Sequence, residues 1–148
     1  YLSTERLPGP PHHGLGRPMK VGKEEIVGLV TALRRFLAAD HAAIRNQHRQ
    51  QLQTVLDAIA EVPGVHGSFV SERKSPRPYV TATVEFDEEM LGRTVESVIN
   101  ELIQGDPPIA VSQNFLHDRA LGLIAMSLRD GEEAIIAARL RDALTRRA

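Results

Sequence analysis

Cysteine is absent from the 148 residues, which removes a disulfide framework, a thiolate metal site and a cysteine nucleophile together. That absence fits a reducing compartment, and the cytoplasm is the expected location. Tryptophan is missing too, and the four Phe and two Tyr are scattered, so the aromatic platforms on which bases stack have no counterpart and nucleic acid is not an expected partner. Neither charge sign dominates. Eighteen basic against nineteen acidic side chains leave a formal charge of -1, which supplies no global field to gather a polyanion. No apolar run approaches the roughly 18 to 20 residues that would span a bilayer, so no membrane partner is expected. The N-terminus has neither a signal-peptide core nor an initiating Met; opening on Tyr1, the chain reads as an excerpt.

What is present describes one domain with an arm. At 42% hydrophobic and 25% charged the chain is long enough for a genuine core. Residues 1–22 carry Pro8, Gly9, Pro10, Pro11 and Pro18, too many interruptions for a regular element, and are expected to form an extended arm. Residues 23–62 are expected to form a helical pair. Ile26, Leu29, Val30, Leu33 and Leu37 recur every three or four positions in the first helix, with Glu24 and Glu25 at its start; Ile44, His48, Leu52, Val55, Leu56 and Ile59 do so in the second. Pro63 and Gly64 stop it.

From residue 63 to 148 the pattern predicts an α+β body. Val65 to Val70 and Tyr79 to Phe86 alternate with period two, joined by an exposed loop from Glu72 to Pro78. A helix with Val95, Val98, Ile99, Leu102 and Ile103 on one face follows, closed by Gly105-Asp106-Pro107-Pro108. Ile109 to Ser112 and Leu121 to Ser127 read as two more strands. The last helix opens with Asp130 and Glu133 at capping-box spacing and presents Ile136, Leu140, Ala143 and Leu144. Each strand has one apolar side needing cover, so the expectation is a two-layer sandwich: a four-stranded, mainly antiparallel sheet with helices on one face.

Fold alone does not assign chemistry, and the side chains offer few constellations. His12 and His13 are adjacent, and His41 and His48 lack the spacing of a helical chelate, so no metal site is expected. The serines have no nucleophile-elbow context. His117, Asp118 and Arg119 have the composition of a solvated turn. The segment Gly16-Arg17-Pro18-Met19-Lys20-Val21-Gly22-Lys23 packs three cations and two glycines ahead of a helix, a chemistry that suits an anion. On spacing alone a solvated linker is the favoured reading.

The run from Gly16 to Leu29, GRPMKVGKEEIVGL, resembles the segment downstream of the cofactor lysine in pyridoxal-phosphate proteins of the selenocysteine-synthase-like family. That group includes proteins similar to L-seryl-tRNA(Sec) selenium transferase and to D-glucosaminate-6-phosphate ammonia-lyase. Gly105-Asp106-Pro107-Pro108-Ile109, and Gly131 through Arg141, resemble the same family's C-terminal landmarks. The resemblance covers nearly everything from His12 onward. It implies the small C-terminal domain of a fold-type-I enzyme, in which pyridoxal phosphate is bound mainly by a large domain preceding Tyr1. On this reading Arg17 and Lys20 match the family's paired cations facing the anionic part of the substrate site. No catalytic residue is expected in this chain; Lys20, Lys23 and Lys74 are not assigned the cofactor role. Family members often carry an arginine after the Asp-Pro-Pro landmark, whereas this chain reads Ile109-Ala110-Val111-Ser112-Gln113, leaving Ser112 in its place or Arg119 as a substitute.

The implied function is the C-terminal part of a lyase or transferase acting on an amino acid or amino-sugar acid with an anionic group. Its partners would be the large domain, that small substrate and further copies in a homo-oligomer. The alternative is a stand-alone ligand-binding or dimerisation module without catalysis, since a small α+β sandwich can serve either end.

Overall fold

The computed structural model describes residues 20–71 and 79–146. The expected arm, with Arg17, and the expected loop from Glu72 to Pro78 lie outside the described residues. The chain divides into two compact units, Tyr1–Asp40 and His41–Ala148.

The described element of the first unit is helix α1, Lys23–Ala38. Glu24 and Glu25 occupy its first turn and Arg35 its last, as the helix dipole favours. No side chain caps its start, where Gly22 stands, and none of its residues is buried.

The second unit opens with α2, His41–Ile59, which buries Gln51, Leu52, Val55, Leu56 and Ile59 along one stripe. Ile44, expected on that stripe, is exposed, because burial on α2 begins two turns later. The second compact unit starts at His41, and α2 is one of its layers. Strand β1, Val65–Phe69, pairs antiparallel with β2, Thr81–Phe86, in the register Val65↔Phe86 to Phe69↔Ala82. Helix α3, Glu88–Leu91, is capped by the Asp87 carboxylate, which accepts from the N–H groups of Glu89 and Met90. Helix α4, Val95–Gln104, is capped by the Thr94 hydroxyl, which accepts from Ser97 N–H at 3.2 Å. Strand β3, Ala120–Ile124, then pairs antiparallel with the other edge of β2, and α5, Glu132–Thr145, ends the fold.

The sheet among the described residues has three strands in the order β1-β2-β3, not four. Ile109 to Ser112 makes a single bridge, in which Ser112 and Gly122 exchange both backbone bonds at 2.8 Å. Toward Ile109 longer pairing is limited on both strands. Pro107 and Pro108 have no N–H to give, and Ile109 N–H is committed to the Leu102 carbonyl of α4 at 2.9 Å. On the other side β3 stops at Ile124, where residues Ala125–Ser127 wind into a 3-10 turn.

A second local expectation also changes. Gly131, with φ 92, stands at the N-cap of α5, and Asp130 instead accepts from the Gln47 amide of α2 at 2.7 Å. The Glu133 carboxylate reaches back to Gly131 N–H at 3.0 Å, and Glu132 to Arg129 N–H at 2.9 Å, so the acidic first turn replaces the capping box.

One core unites the layers. Ala82, Val84 and Phe86 of β2 lie in the same buried cluster as Val98 and Leu102 of α4 and Leu140 of α5, with Val80 and Ile136 partly buried against it. The alternation of β2 thus selects the face that α2, α4 and α5 cover. Ile103 sits past the edge of the α4 stripe and is exposed. On the opposite face Ser68, Thr83, Gly122 and Ser112 share one register line, with the Ser68 and Thr83 hydroxyls 3.3 Å apart.

Candidate functional site

Three places in the described residues gather polar side chains: the approach to α1, the corner between Ser112 and Gly122, and the seam between α4 and α5.

Lys20 and Lys23 stand exposed at the approach to α1. Arg17 lies outside the described residues, so the geometry of the Arg17 and Lys20 pair is not defined.

The corner after the bridge is built by backbone bonds. The Ser112 hydroxyl accepts from Asn114 N–H at 3.4 Å, Leu116–Asp118 forms a 3-10 turn, and Arg119 closes it with φ 53. Phe115 lies over Gly122, where a Cβ would come within 2.8 Å of the ring, so this strand position is kept bare by its neighbour. His117 Nε2 and Asp118 Oδ2 are 3.2 Å apart but 75% and 60% exposed, and Arg119 is exposed as well. An ion pair so hydrated contributes little and has no buried partner to hold it in a reacting geometry. Ser112 therefore serves the bridge and the turn, and Arg119 points its charge from a solvated tip.

The α4–α5 seam is the most ordered polar region. Arg93 donates to Glu101 at 2.6 Å and to the Ala143 carbonyl near the end of α5 at 2.5 Å, and Arg146 approaches Glu101 at 3.3 Å. Arg139 donates to the Asp106 carbonyl at 2.6 Å and, more weakly, to that of Pro107 at 3.4 Å. Its guanidinium fills the space where a Cβ at residue 105 would stand, so a side chain there would push the tip of Arg139 aside. The two C-terminal landmarks, Gly105 to Ile109 and Gly131 to Arg141, thus meet in space through Arg139. Neither Arg93 nor Arg139 was marked by periodicity, since each acts on a backbone carbonyl distant in sequence. Arg93 is paired with Glu101, whereas Arg139 meets backbone carbonyls, with Asp142 and Glu101 nearby in the groove. The open groove beside them, about 580 Å3 and bordered by Asn100, Glu101, Arg139 and Asp142, is accordingly a mixed-charge surface rather than an anion site.

A second cavity of about 190 Å3 lies between α2, the 109–112 segment and β3, walled by aliphatic side chains including Leu52, Val55, Ile109 and Leu123. It offers no charge to a phosphate or carboxylate. The buried amide of Gln51 lacks a hydrogen-bond partner among the described residues, but a neutral amide beside Leu52 cannot substitute for a cationic cradle. Among the described residues no group of three His, Asp or Glu could hold a metal ion, and no helix is long and apolar enough to cross a membrane. Lys20 and Lys23 are exposed; of the two cavities, one is aliphatic and the other sets Arg139 and Arg146 beside Glu101 and Asp142, so neither is a cationic cradle fitted to the phosphate of pyridoxal phosphate.

An antiparallel sheet with its helices layered on one face, fastened by contacts that leave no assembled catalytic group among the described residues, defines an α+β small domain. No protein-family model matches the chain. It is 31% identical over 131 residues to the D-glucosaminate-6-phosphate ammonia lyase of Salmonella typhimurium, a match covering 88% of this chain and 34% of that protein. It is 27% identical over 126 residues to the 5'-C-glycyluridine monooxygenase-decarboxylase of a Streptomyces species, covering 84% of this chain and 31% of that one. A solved structure of D-glucosaminate-6-phosphate ammonia-lyase superposes with a TM-score of 0.63 at 30% identity, covering 86% of this chain and 33% of that chain. The chain corresponds to a C-terminal portion of that ammonia-lyase family. It spans about a third of the length of the relatives it matches.

Proposed function

We propose that this chain is the C-terminal small domain of a pyridoxal-phosphate-dependent lyase or transferase that acts on an amino acid or amino-sugar acid bearing an anionic group. The observation that carries this reading is the 31% identity to an ammonia lyase running through 88% of the chain. The meeting of the Gly105 and Arg139 landmarks supports it, because the resemblance then rests on residues that touch as well as on residues that recur. The name of that relative specifies a phosphorylated amino-sugar acid and the loss of ammonia, the source of the substrate class proposed here.

In the intact enzyme pyridoxal phosphate, held mainly by the large domain, supplies an electron sink for the carbon bearing the amine. This chain's part is binding and orientation. Arg17 and Lys20 offer charge-assisted hydrogen bonds to the anionic end of the substrate. The α+β body supplies a rigid mass that lets such a segment be held against a neighbouring domain. The proposed assembly is a homo-oligomer.

The test uses the full-length enzyme. Arg17→Ala and Lys20→Ala are each expected to weaken substrate binding by about 1.5 to 3 kcal/mol, seen as a raised KM with kcat largely kept. Unchanged kinetics in both variants would return the segment to a linker. The alternative of a catalysis-free module draws on the self-contained core from His41 onward. A cofactor-binding lysine upstream of Tyr1 decides against it, and an unrelated upstream sequence decides for it.

A further inference from the structure

Ile26, Leu29, Val30, Leu33 and Leu37 fall at i, i+3, i+4, i+7 and i+11 of α1, one continuous apolar stripe along a 16-residue helix. The stripe is open: Leu29 is 71% exposed, Leu37 73% and Leu33 52%. Single exposed aliphatics need no explanation, but five in register along about 17 Å of helix form a contiguous patch of the kind that marks an interaction surface. By helical periodicity Lys23 and Arg34 border the stripe on one side and Glu25 on the other.

Two findings bear on what covers it. The match to the ammonia lyase takes in 131 of the 148 residues, so α1, which starts at Lys23, lies inside the matched region. It is a shared element of a protein about three times as long as this chain. The area available argues against self-association as the main role of the stripe. Two such helices side by side would share a strip of roughly 24 by 10 Å, a few hundred Å2 against the ~800 Å2 per partner of a standard interface. We infer that the α1 stripe is a docking surface for the part of the full-length polypeptide that lies outside this chain. The fitting surface is an aliphatic groove about one helix long, with acidic groups on the rim facing Lys23 and Arg34. This inference rests on the chain being one domain of a longer enzyme, and it concerns which face joins the domains.

Since the chain has no cysteine of its own, single cysteines report the contact. In the full-length protein, Leu29→Cys and Leu33→Cys are expected to react with a thiol reagent on the order of 100-fold more slowly under native conditions than in urea, read by peptide-resolved mass spectrometry. Thr31→Cys and Arg35→Cys, on the opposite face, are expected to react at nearly the same rate in both. Val30→Cys, a smaller change in volume, is the second variant should the leucine substitutions prevent folding. Stripe cysteines that react as fast as Arg35→Cys in the native protein overturn the inference. So does protection that disappears on dilution to the monomer, which would assign the stripe to a second copy. Protection that persists in a full-length protein without lyase or transferase activity defeats the proposed function and leaves the docking surface standing.

Discussion

Helices α1 and α4 carry the same kind of pattern and meet different fates. Both place aliphatic residues every three or four positions, yet α4 buries Val95, Val98, Ile99 and Leu102 within its ten residues, whereas α1 buries none of its sixteen. Periodicity specifies which side of a helix seeks cover; whether cover is present depends on what the surrounding chain brings to it. In α4 that cover comes from β3 and α5, which arrive later in the sequence. The contrast separates residues that hold the body together from residues that await a partner.

The largest effect expected from breaking this contrast is at Leu140, which is fully buried in the shared core. Leu140→Ala should cost about 2 to 5 kcal/mol in this chain by urea denaturation. A loss below about 1 kcal/mol would mean that α5 is not part of the cooperative unit. An intermediate effect is expected at the landmark contact. A Cβ at residue 105 displaces the tip of the Arg139 side chain, so Gly105→Ala should cost about 0.5 to 1.5 kcal/mol, the worth of the hydrogen bonds that tip makes. Combined with Arg139→Ala it should show clear non-additivity in a double-mutant cycle; simple addition would sever the link between the two landmarks.

Smaller effects sharpen the other side of the comparison. Arg119 holds a left-handed backbone at an exposed tip. Arg119→Gly should raise stability by at most about 1 kcal/mol, since relief of strain is partly offset by chain entropy; a marked loss would reveal a partner for that guanidinium. Leu33→Ala should change the stability of this chain by no more than about 0.5 kcal/mol, because the side chain is half exposed. A loss comparable to that at Leu140 would place α1 inside the folding unit.

Much of the body was legible in local pattern. The apolar positions from Val80 to Phe86 do join the helix-covered core, although Thr81 and Thr83 on the other side of β2 are buried too, and the stripe of α4 is right except at its edge residue Ile103. The places where pattern failed share a cause. Ile109 to Ser112 has strand-like residues, but its hydrogen bonds were decided by Leu102 and by the 3-10 turn after Ile124. Asp130 has the right spacing for a cap, but Gln47 of α2 competes for its carboxylate. Of the candidate site, Lys20 is exposed ahead of α1 and Arg17 is outside the described residues, so their pairing remains a matter for the kinetic test.

The sequence by itself determined which residues are apolar at which period, where prolines and glycines interrupt, and which family the motifs resemble. These properties are local or recurrent, and need no knowledge of what lies across the core. Only the tertiary structure decided that the sheet has three strands, that α2 belongs to the body, and that Arg139 reaches back to Gly105 and the Asp106 carbonyl. Each of these depends on groups many residues apart competing for one hydrogen bond or one volume, and such competition is resolved only when the chain has folded.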